Sequence, residues 1–263
     1  MKRKSLIDAA LFLVIFAAVQ FAVSMAIGVF QQTADTTPAV TIAVSLISSV
    51  IVIALFAWRK WTIVSGDYIN TRPWFTLFWV VCLAIGAATP LSFAIDQAGL
   101  KMPAEYTEIF SSIMSHDLGY IAVGVVAPVA EEMVFRGAIL RKLLDAMGNN
   151  RSWAAVVATA ALFGIVHGNM AQGVNAFVLG LLIGWMYVRT RSIVPGIAFH
   201  LTNNTIAYIM YRMMPQSADM TLVEYFHGDM KRVWLSILFS LMIFGAALFQ
   251  LNMRLSKPKK TNK

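Results

Sequence analysis

Charged side chains are scarce in this sequence, and their scarcity argues against a soluble globular protein. Asp, Glu, Lys and Arg make up 13% of the 263 residues, whereas 59% of the residues are hydrophobic and the mean hydropathy is +0.69. Soluble domains carry roughly 25% charged residues. The apolar residues recur in runs of about 20, the length that a helix needs to cross a bilayer. The composition therefore predicts a polytopic membrane protein.

Cysteine and the common local motifs of catalysis are also scarce or missing. The single cysteine, Cys82, lies in an apolar run and permits no intramolecular disulfide. The sequence contains no Gly-x-Ser-x-Gly elbow, no Walker loop, no Gly-x-Gly-x-x-Gly and no His-Glu-x-x-His zinc motif. A nucleophilic serine, a nucleotide-binding loop and a local zinc-protease helix are therefore not predicted.

The net charge of +8 comes from Lys and Arg residues that cluster at the ends of the apolar runs. Basic residues in such positions orient membrane helices, so we do not expect binding to nucleic acid. The basic start at residues 1–4 resembles a signal peptide, but the following apolar run, Ala9–Phe30, is longer than the roughly 7–15 residues of a signal-peptide core. We expect this run to remain as a first transmembrane helix.

Eight apolar segments are expected to form helices, because a helix satisfies its own backbone in lipid and the alternation of a barrel strand is absent. The segments are Ala9–Phe30, Ala39–Trp58, Trp74–Ile95, Gly119–Leu140, Trp153–His167, Val174–Val188, Ile193–Tyr211 and Val233–Leu251. With eight spans both termini lie on one side of the membrane. That side holds most of the Lys and Arg residues outside the spans, and the other side holds only Lys101, Arg212, Lys231 and Arg232.

The positive-inside rule then predicts an all-α transmembrane helix bundle with both termini in the cytoplasm. The segment after Pro103 and the segment after a capping box formed by Thr221 and Glu224 are expected to be either short amphipathic helices on the outer membrane surface or ordinary surface loops. Short loops and the lack of any targeting extension favour a bacterial inner membrane.

The fourth segment carries charges at a depth where charges are costly. Glu131, Glu132 and Arg136 lie inside an apolar run from residue 119 to residue 140. Each charge costs about 2.5–3.5 kcal/mol at the centre of a membrane helix, so intramembrane charges mark working sites. Glu132 and Arg136 are four residues apart and can pair, whereas Glu131 points about 100° away round the helix. Pro128 cannot donate to the carbonyl of the residue four positions earlier and is expected to kink the helix.

Two histidines in later segments are candidate partners for Glu131. His167 ends the fifth segment, and His200 lies in the seventh segment with Asn204 one turn away on the same helix face. A carboxylate in an apolar site is a good general base, a histidine beside it can orient water, and His200 with Asn204 could donate to an oxyanion. Glu131, His167 and His200 could equally bind zinc with one open position. The sequence gives no basis for choosing between metal-activated water and Glu/His-activated water.

Three motifs in order resemble the CPBP family, the type II CAAX prenyl endopeptidases and bacteriocin-processing intramembrane proteases, also called the Abi family. The matching residues are Glu131, Glu132 and Arg136, then Phe163 and His167, then His200 and Asn204. The resemblance covers roughly residues 118–212, a catalytic core of four helices. Residues 1–117 then supply three helices and an outer loop, and residues 213–263 supply an outer loop, the last helix and a basic cytoplasmic tail.

The resemblance implies a glutamate-dependent endopeptidase in which Glu131 is the general base and His167 helps to activate water. It also implies that His200 and Asn204 form the oxyanion site. Glu132 and Arg136 are then expected to stabilise the structure of the site. Both metal-dependent and metal-free mechanisms are argued for the family. The implied substrate is a membrane-associated peptide or protein, of the CAAX-like or the leader and bacteriocin type.

Two other functions fit the same residues. A non-catalytic protein of this fold could act in immunity or as a scaffold for a membrane sensor, and a transporter could use Glu and His as a proton relay. No inverted repeat supports the transporter.

Overall fold

The computed structural model describes residues 2–31, 37–63, 66–218 and 220–255. Within these ranges every regular element is helical, which confirms the predicted all-α class. The helices are α1 (Lys2–Gln31), α2 (Pro38–Trp58), α3 (Gly66–Asn70), α4 (Trp74–Gln97), α5 (Ala104–Met114), α6 (Asp117–Met147), α7 (Ser152–Ile165), α8 (Met170–Thr190), α9 (Val194–Met213), α10 (Leu222–Tyr225) and α11 (Met230–Arg254).

Six of these helices are long and apolar enough to cross a membrane, as expected of an integral membrane protein. They are α1, α2, α4, α6, α8 and α11. The predicted fifth span, α7, is a shorter apolar helix of 14 residues, and the predicted seventh, α9, has 20 residues but carries several polar side chains. The eight-span count and the cytoplasmic termini stay predictions.

The chain divides into two compact units. The first comprises Met1–Val64, Pro103–Ala155 and Asn204–Ala218, and the second comprises Ser65–Met102, Val156–Asn203 and Asp219–Lys263. The predicted division at residues 117/118 and 212/213 stays a prediction.

In the first unit, α1 and α2 pack against α6, the helix that carries the paired glutamates. The ring of Phe16 meets the ring of Phe135 edge to face at 5.6 Å, and Phe135 is fully buried. Phe12, Phe56 and Trp61 form a second ring cluster with centroids 5.1–5.8 Å apart. Between helices in a bilayer such ring contacts stabilise through van der Waals packing, because lipid is as apolar as the side chains. The Phe16–Phe135 contact therefore joins α1 to α6, and the second ring cluster joins α1 to the end of α2.

In the second unit, α4 and α11 run antiparallel over most of their length. Near one end Phe93 contacts Trp234 with ring centroids 5.4 Å apart, and near the other end the Arg254 guanidinium lies 4.3 Å from the centroid of Phe75. Between these contacts, a Cβ at Gly86 would lie 2.5 Å from the backbone nitrogen of Phe244. The glycine therefore permits backbone contact between the two helices. Helix α8 adds Leu179, Ile183 and Met186 to the same core.

The two short helices expected in the outer loops are present as α5 and α10. Thr221 and Glu224 form the predicted capping box: the Glu224 backbone N–H donates to the Thr221 hydroxyl at 3.2 Å, and the Thr221 N–H donates to the Glu224 carboxylate at 2.7 Å. The Leu222 N–H donates to the Asp96 carboxylate at 2.9 Å, which ties α10 to the end of α4. Their position on the membrane surface stays a prediction.

Candidate active site

Helix α6 is not a regular α-helix around its charged residues. Residues Tyr120–Val126 and Met133–Leu140 are π-helical, and the α-helical turn Ala127–Glu132 lies between them. In a π-helix each N–H donates to the carbonyl five residues earlier, and such segments are frequent at functional sites. The sequence predicted one helix with a kink at Pro128 and did not indicate the two register changes. The glutamates therefore lie in the α-helical turn between two wider segments.

The predicted ion pair within α6 is present and completely enclosed. Arg136 Nη1 donates to Glu132 Oε1 at 2.9 Å, and the two side chains are 1% and 0% exposed. Removing one partner of such a pair costs about 3–5 kcal/mol, because the other charge stays buried without compensation. Glu131, the adjacent carboxylate, is only partly buried. The two neighbouring glutamates therefore occupy different environments, one inside the protein and one reachable from outside.

Asn204, the last residue of the third motif, is bonded to α6 in the first unit. Its side-chain Nδ2 donates to the backbone carbonyl of Val123, in the first π-helical segment, at 2.9 Å. The next residue, Thr205, shares a hydrogen bond of 2.9 Å with the Tyr120 hydroxyl. The oxyanion role expected for Asn204 stays a prediction. The sequence did not indicate that this side chain donates a hydrogen bond to the backbone of α6.

The two candidate histidines both contact the ring of Phe163 in the second unit. Phe163 contacts His167 at 4.9 Å and His200 at 5.7 Å between ring centroids, both edge to face. His200 is 8% exposed and His167 is partly exposed. The contact with His167 follows from the four-residue spacing of the Phe-x-x-x-His motif. The contact with His200 was not predicted from the sequence.

The orientation of His167 is set by its own helix. His167 Nδ1 lies 2.7 Å from the carbonyl oxygen of Phe163, and a carbonyl oxygen can only accept a hydrogen bond. Nδ1 therefore carries the proton, and Nε2 of the neutral ring is the nitrogen that can accept one or bind a metal. This bond is of the kind that orients catalytic and metal-ligating histidines alike.

The segment that follows His167 is also fixed by specific contacts. A Cβ at Gly164 would lie 2.6 Å from the carbonyl oxygen of Gly173, so α7 and the start of α8 are in backbone contact. Gly168 has φ +75°, which a residue with a side chain rarely adopts. Asn169 caps α8 by accepting from the Gln172 N–H at 3.0 Å. These contacts fix the turn beside His167.

Glu131, Glu132, Arg136 and Asn204 thus lie in the first unit, where Asn204 contacts the first π-helical segment of α6, and His167 and His200 lie in the second unit against Phe163. One further residue, Thr62, was not expected: its hydroxyl donates to the carbonyl of Met133 at the start of the second π-helical segment. No sequence pattern links residues 71 positions apart, so this contact could not have been predicted. Across residues 2–31, 37–63, 66–218 and 220–255, no three His, Cys, Asp or Glu side chains form a group that could hold a metal ion.

Comparison with known proteins gives three matches. Residues 114–206 match the protein-family model described as "Type II CAAX prenyl endopeptidase Rce1-like". The "Putative membrane peptidase YdiL" of Bacillus subtilis (strain 168) is 28% identical over 134 residues, 51% of this chain and 53% of that protein. The "Membrane-embedded CAAX protease MroQ" of Staphylococcus aureus (strain USA300) is 28% identical over 98 residues, 36% of this chain and 40% of that protein.

The chain therefore spans about half or less of the length of these curated relatives. No solved structure matches the chain significantly. All six candidate site residues lie within the matched range 114–206.

Proposed function

Because residues 114–206 of this chain carry the core of the CPBP family, we propose that the protein is an intramembrane endopeptidase. Its substrate is a membrane-associated peptide or protein, of the CAAX-like or the leader and bacteriocin type. The proposal is supported by the family match, by two relatives named as membrane peptidases, and by helices that suit a bilayer. We place the protein in a bacterial inner membrane.

The observation that carries the proposal is the contrast between the two adjacent glutamates. Glu132 is fully enclosed and paired with Arg136 at 2.9 Å, so it has a structural task. Glu131 is partly exposed on the same helical turn. An ionisable side chain at membrane depth that is partly exposed is by default a candidate for a functional role.

In the proposed reaction Glu131 acts as the general base. Its carboxylate removes a proton from a water molecule, and the resulting hydroxide oxygen attacks the carbonyl carbon of the scissile peptide bond. The proton then passes from Glu131 to the leaving amine as the C–N bond breaks, so the carboxylate is regenerated. His167, with Nδ1–H held by the Phe163 carbonyl, presents Nε2 to orient the water or relay its proton.

His200 stabilises the negative charge that develops on the peptide oxygen. Loss of one such donor costs about 10²–10³-fold in turnover in enzymes where it has been measured. His200 is buried and lies against Phe163, which restricts its ring and suits a fixed donor.

A metal-dependent version would need Glu131, His167 and His200 to come together as ligands, because among the described residues no three His, Cys, Asp or Glu side chains already form a metal-binding group. A divalent ion such as zinc would lower the pKa of a bound water and polarise the peptide carbonyl. The Nδ1–H bond of His167 to a backbone carbonyl suits a metal ligand as well as a base. The two versions give different responses to a chelator.

The experiment uses the purified protein in nanodiscs with quenched peptides, prenylated and unprenylated. Wild type is compared with Glu131→Gln, which keeps the shape of the side chain and removes its basicity. The matched control is Glu108→Gln, the same change at an exposed position on α5. We expect cleavage by wild type and by the control, and a loss of about 10²–10⁴-fold in Glu131→Gln with an unchanged unfolding temperature.

Each reaction is repeated with a chelator. Cleavage that survives the chelator favours Glu/His-activated water, and cleavage that is lost and returns with added zinc favours the metal. No cleavage by folded wild type would contradict the endopeptidase and leave the immunity or scaffold role. Equal cleavage by wild type and Glu131→Gln would remove Glu131 from the mechanism.

A further inference from the structure

The first π-helical segment of α6 leaves one backbone carbonyl without a helical donor. At its end the Ala127 N–H donates to the Ala122 carbonyl, five residues earlier. In the same register the carbonyl of Val123 would accept from residue 128, but that residue is Pro128 and has no N–H. The combination of a π register and a proline therefore creates a missing donor at Val123.

Asn204 supplies that donor from another helix. Its Nδ2 lies 2.9 Å from the Val123 carbonyl oxygen, a normal distance for an N–H···O hydrogen bond. A backbone carbonyl at membrane depth that lacks a partner is strongly unfavourable, because no water replaces the missing bond. The Asn204 amide thus replaces the backbone N–H donor that Pro128 lacks.

The bond is one of several along the same side of α9 in the first unit. Thr205 shares a hydrogen bond with the Tyr120 hydroxyl, the tilted ring of Tyr208 packs against Tyr120 with ring centroids 4.7 Å apart, and Arg212 pairs with Asp117 at 3.0 Å. This seam runs from the start of α6 to Val123 and ends there with Asn204. Glu131 follows Pro128 by three residues, about one helical turn. Asn204 contacts Val123, which precedes Glu131 by eight residues and is closer to the glutamate along α6 than Tyr120 and Asp117 are.

We propose that Asn204 is a positioning residue for Glu131. Its amide holds the junction between the π-helical segment and the α-helical turn at the Val123 carbonyl, and thereby sets the direction in which Glu131 points. The expected effect of this hydrogen bond on kcat rests on the peptidase function proposed above. The proposal differs from an oxyanion role, because the amide acts on the backbone of α6 and not on the substrate.

The test is a two-by-two set of variants: wild type, Asn204→Ala, Pro128→Ala and the double variant, all in nanodiscs. Alanine at position 128 restores a backbone N–H that in the π register donates to the Val123 carbonyl, so Asn204 is no longer required. We expect Asn204→Ala to lower kcat about tenfold with little change in KM, which corresponds to about 1.4 kcal/mol. In the Pro128→Ala background, Asn204→Ala should lower kcat by less than about twofold, which corresponds to an increase of roughly 0.4 kcal/mol in the activation free energy.

A direct oxyanion donor predicts a different result. Removing it should cost about 10²–10³-fold in kcat whatever residue occupies position 128. An equal fold loss in the two backgrounds would therefore overturn the proposal.

The unfolding temperatures of the same four proteins test the hydrogen bond without any activity. Asn204→Ala should lower the unfolding temperature when residue 128 is proline and lower it less when residue 128 is alanine. Equal lowering in both backgrounds, or none in either, would contradict the assigned bond. If wild type cleaves no peptide, the peptidase function fails, and the unfolding temperatures still decide whether Asn204 serves the Val123 carbonyl.

Discussion

Glu132 and Arg136 form an ion pair of 2.9 Å in which neither side chain is more than 1% exposed. The pair lies within one helix, at the four-residue spacing that the sequence already indicated, and it follows directly after Glu131. In a protein interior such a pair contributes little net stability over apolar residues of the same shape, yet removing one partner is costly. The structural consequence is that α6 tolerates the loss of both charges better than the loss of one.

The first prediction follows from that asymmetry. Glu132→Gln should lower the free energy of unfolding by about 3–5 kcal/mol, because Arg136 stays buried without its carboxylate. The double variant Glu132→Gln with Arg136→Met should be more stable than Glu132→Gln alone. The measurement is denaturant unfolding in detergent micelles.

The control for the ion pair is an exposed pair on α11. Arg232 lies 3.1 Å from Asp229, with the two side chains 68% and 43% exposed. Arg232→Gln should change the free energy of unfolding by no more than about 1 kcal/mol. If Glu132→Gln were as mild as this control, the enclosed pair would not be the structural anchor that we infer.

The second prediction separates the two nitrogens of His167. In His167→Asn the amide nitrogen can replace Nδ1 and keep the hydrogen bond to the Phe163 carbonyl, but nothing replaces Nε2. We expect the unfolding temperature to stay close to that of wild type while peptide cleavage falls about 10²-fold or more. Exposed His116→Asn is the matched control and should retain cleavage. Full activity in His167→Asn would show that Nε2 takes no part in the reaction.

The third prediction concerns pH and the capping box of α10. Two hydrogen bonds from Thr221, from its backbone N–H and its hydroxyl, lower the pKa of the Glu224 carboxyl below its ordinary value. A lowered pKa in the folded state means that the stabilisation is present above the unfolded-state pKa and is lost as the pH falls through the folded-state pKa.

Hydrogen exchange of the amides at residues 222–225 should therefore accelerate, relative to the intrinsic rate, as the pH falls below about 4. In Glu224→Gln the same amides should exchange faster at neutral pH and lose the pH response that belongs to this carboxyl. An identical pH response in wild type and Glu224→Gln would assign the effect to another group, such as Asp96, which accepts from the Leu222 N–H.

The features that could be predicted from the sequence depend on short spacings. Glu132 and Arg136 are four residues apart, and Thr221 and Glu224 are three apart, so helix geometry alone brings each pair together. The all-α class followed in the same way from apolar runs that must satisfy their own backbone in lipid. In each case the deciding interaction lies within one helix.

The features that could not be predicted depend on the hydrogen-bond register of α6 and on residues far apart in sequence. In a regular α-helix Pro128 would free the carbonyl of Gly124, but the π register leaves the carbonyl of Val123 instead. Its donor, Asn204, is 81 positions away in sequence. A proline inside a charged membrane helix indicates a missing donor, but only the structure shows which carbonyl is affected and which side chain serves it.

The last prediction concerns the backbone contact beside His167. A Cβ at Gly164 would lie 2.6 Å from the Gly173 carbonyl oxygen, and because this neighbour is backbone it cannot rotate away. Gly164→Ala should force α7 and α8 apart, lower the free energy of unfolding by about 1–3 kcal/mol and reduce cleavage, since the histidine follows within one turn. Gly245→Ala on α11 is the matched control: a Cβ there meets no atom within 4 Å, so the extra methyl should be neutral or stabilising by up to about 1 kcal/mol. Thermal unfolding and peptide cleavage are measured on both variants. If Gly164→Ala matched Gly245→Ala in both measurements, the close approach of α7 and α8 would not be what holds the turn that carries His167.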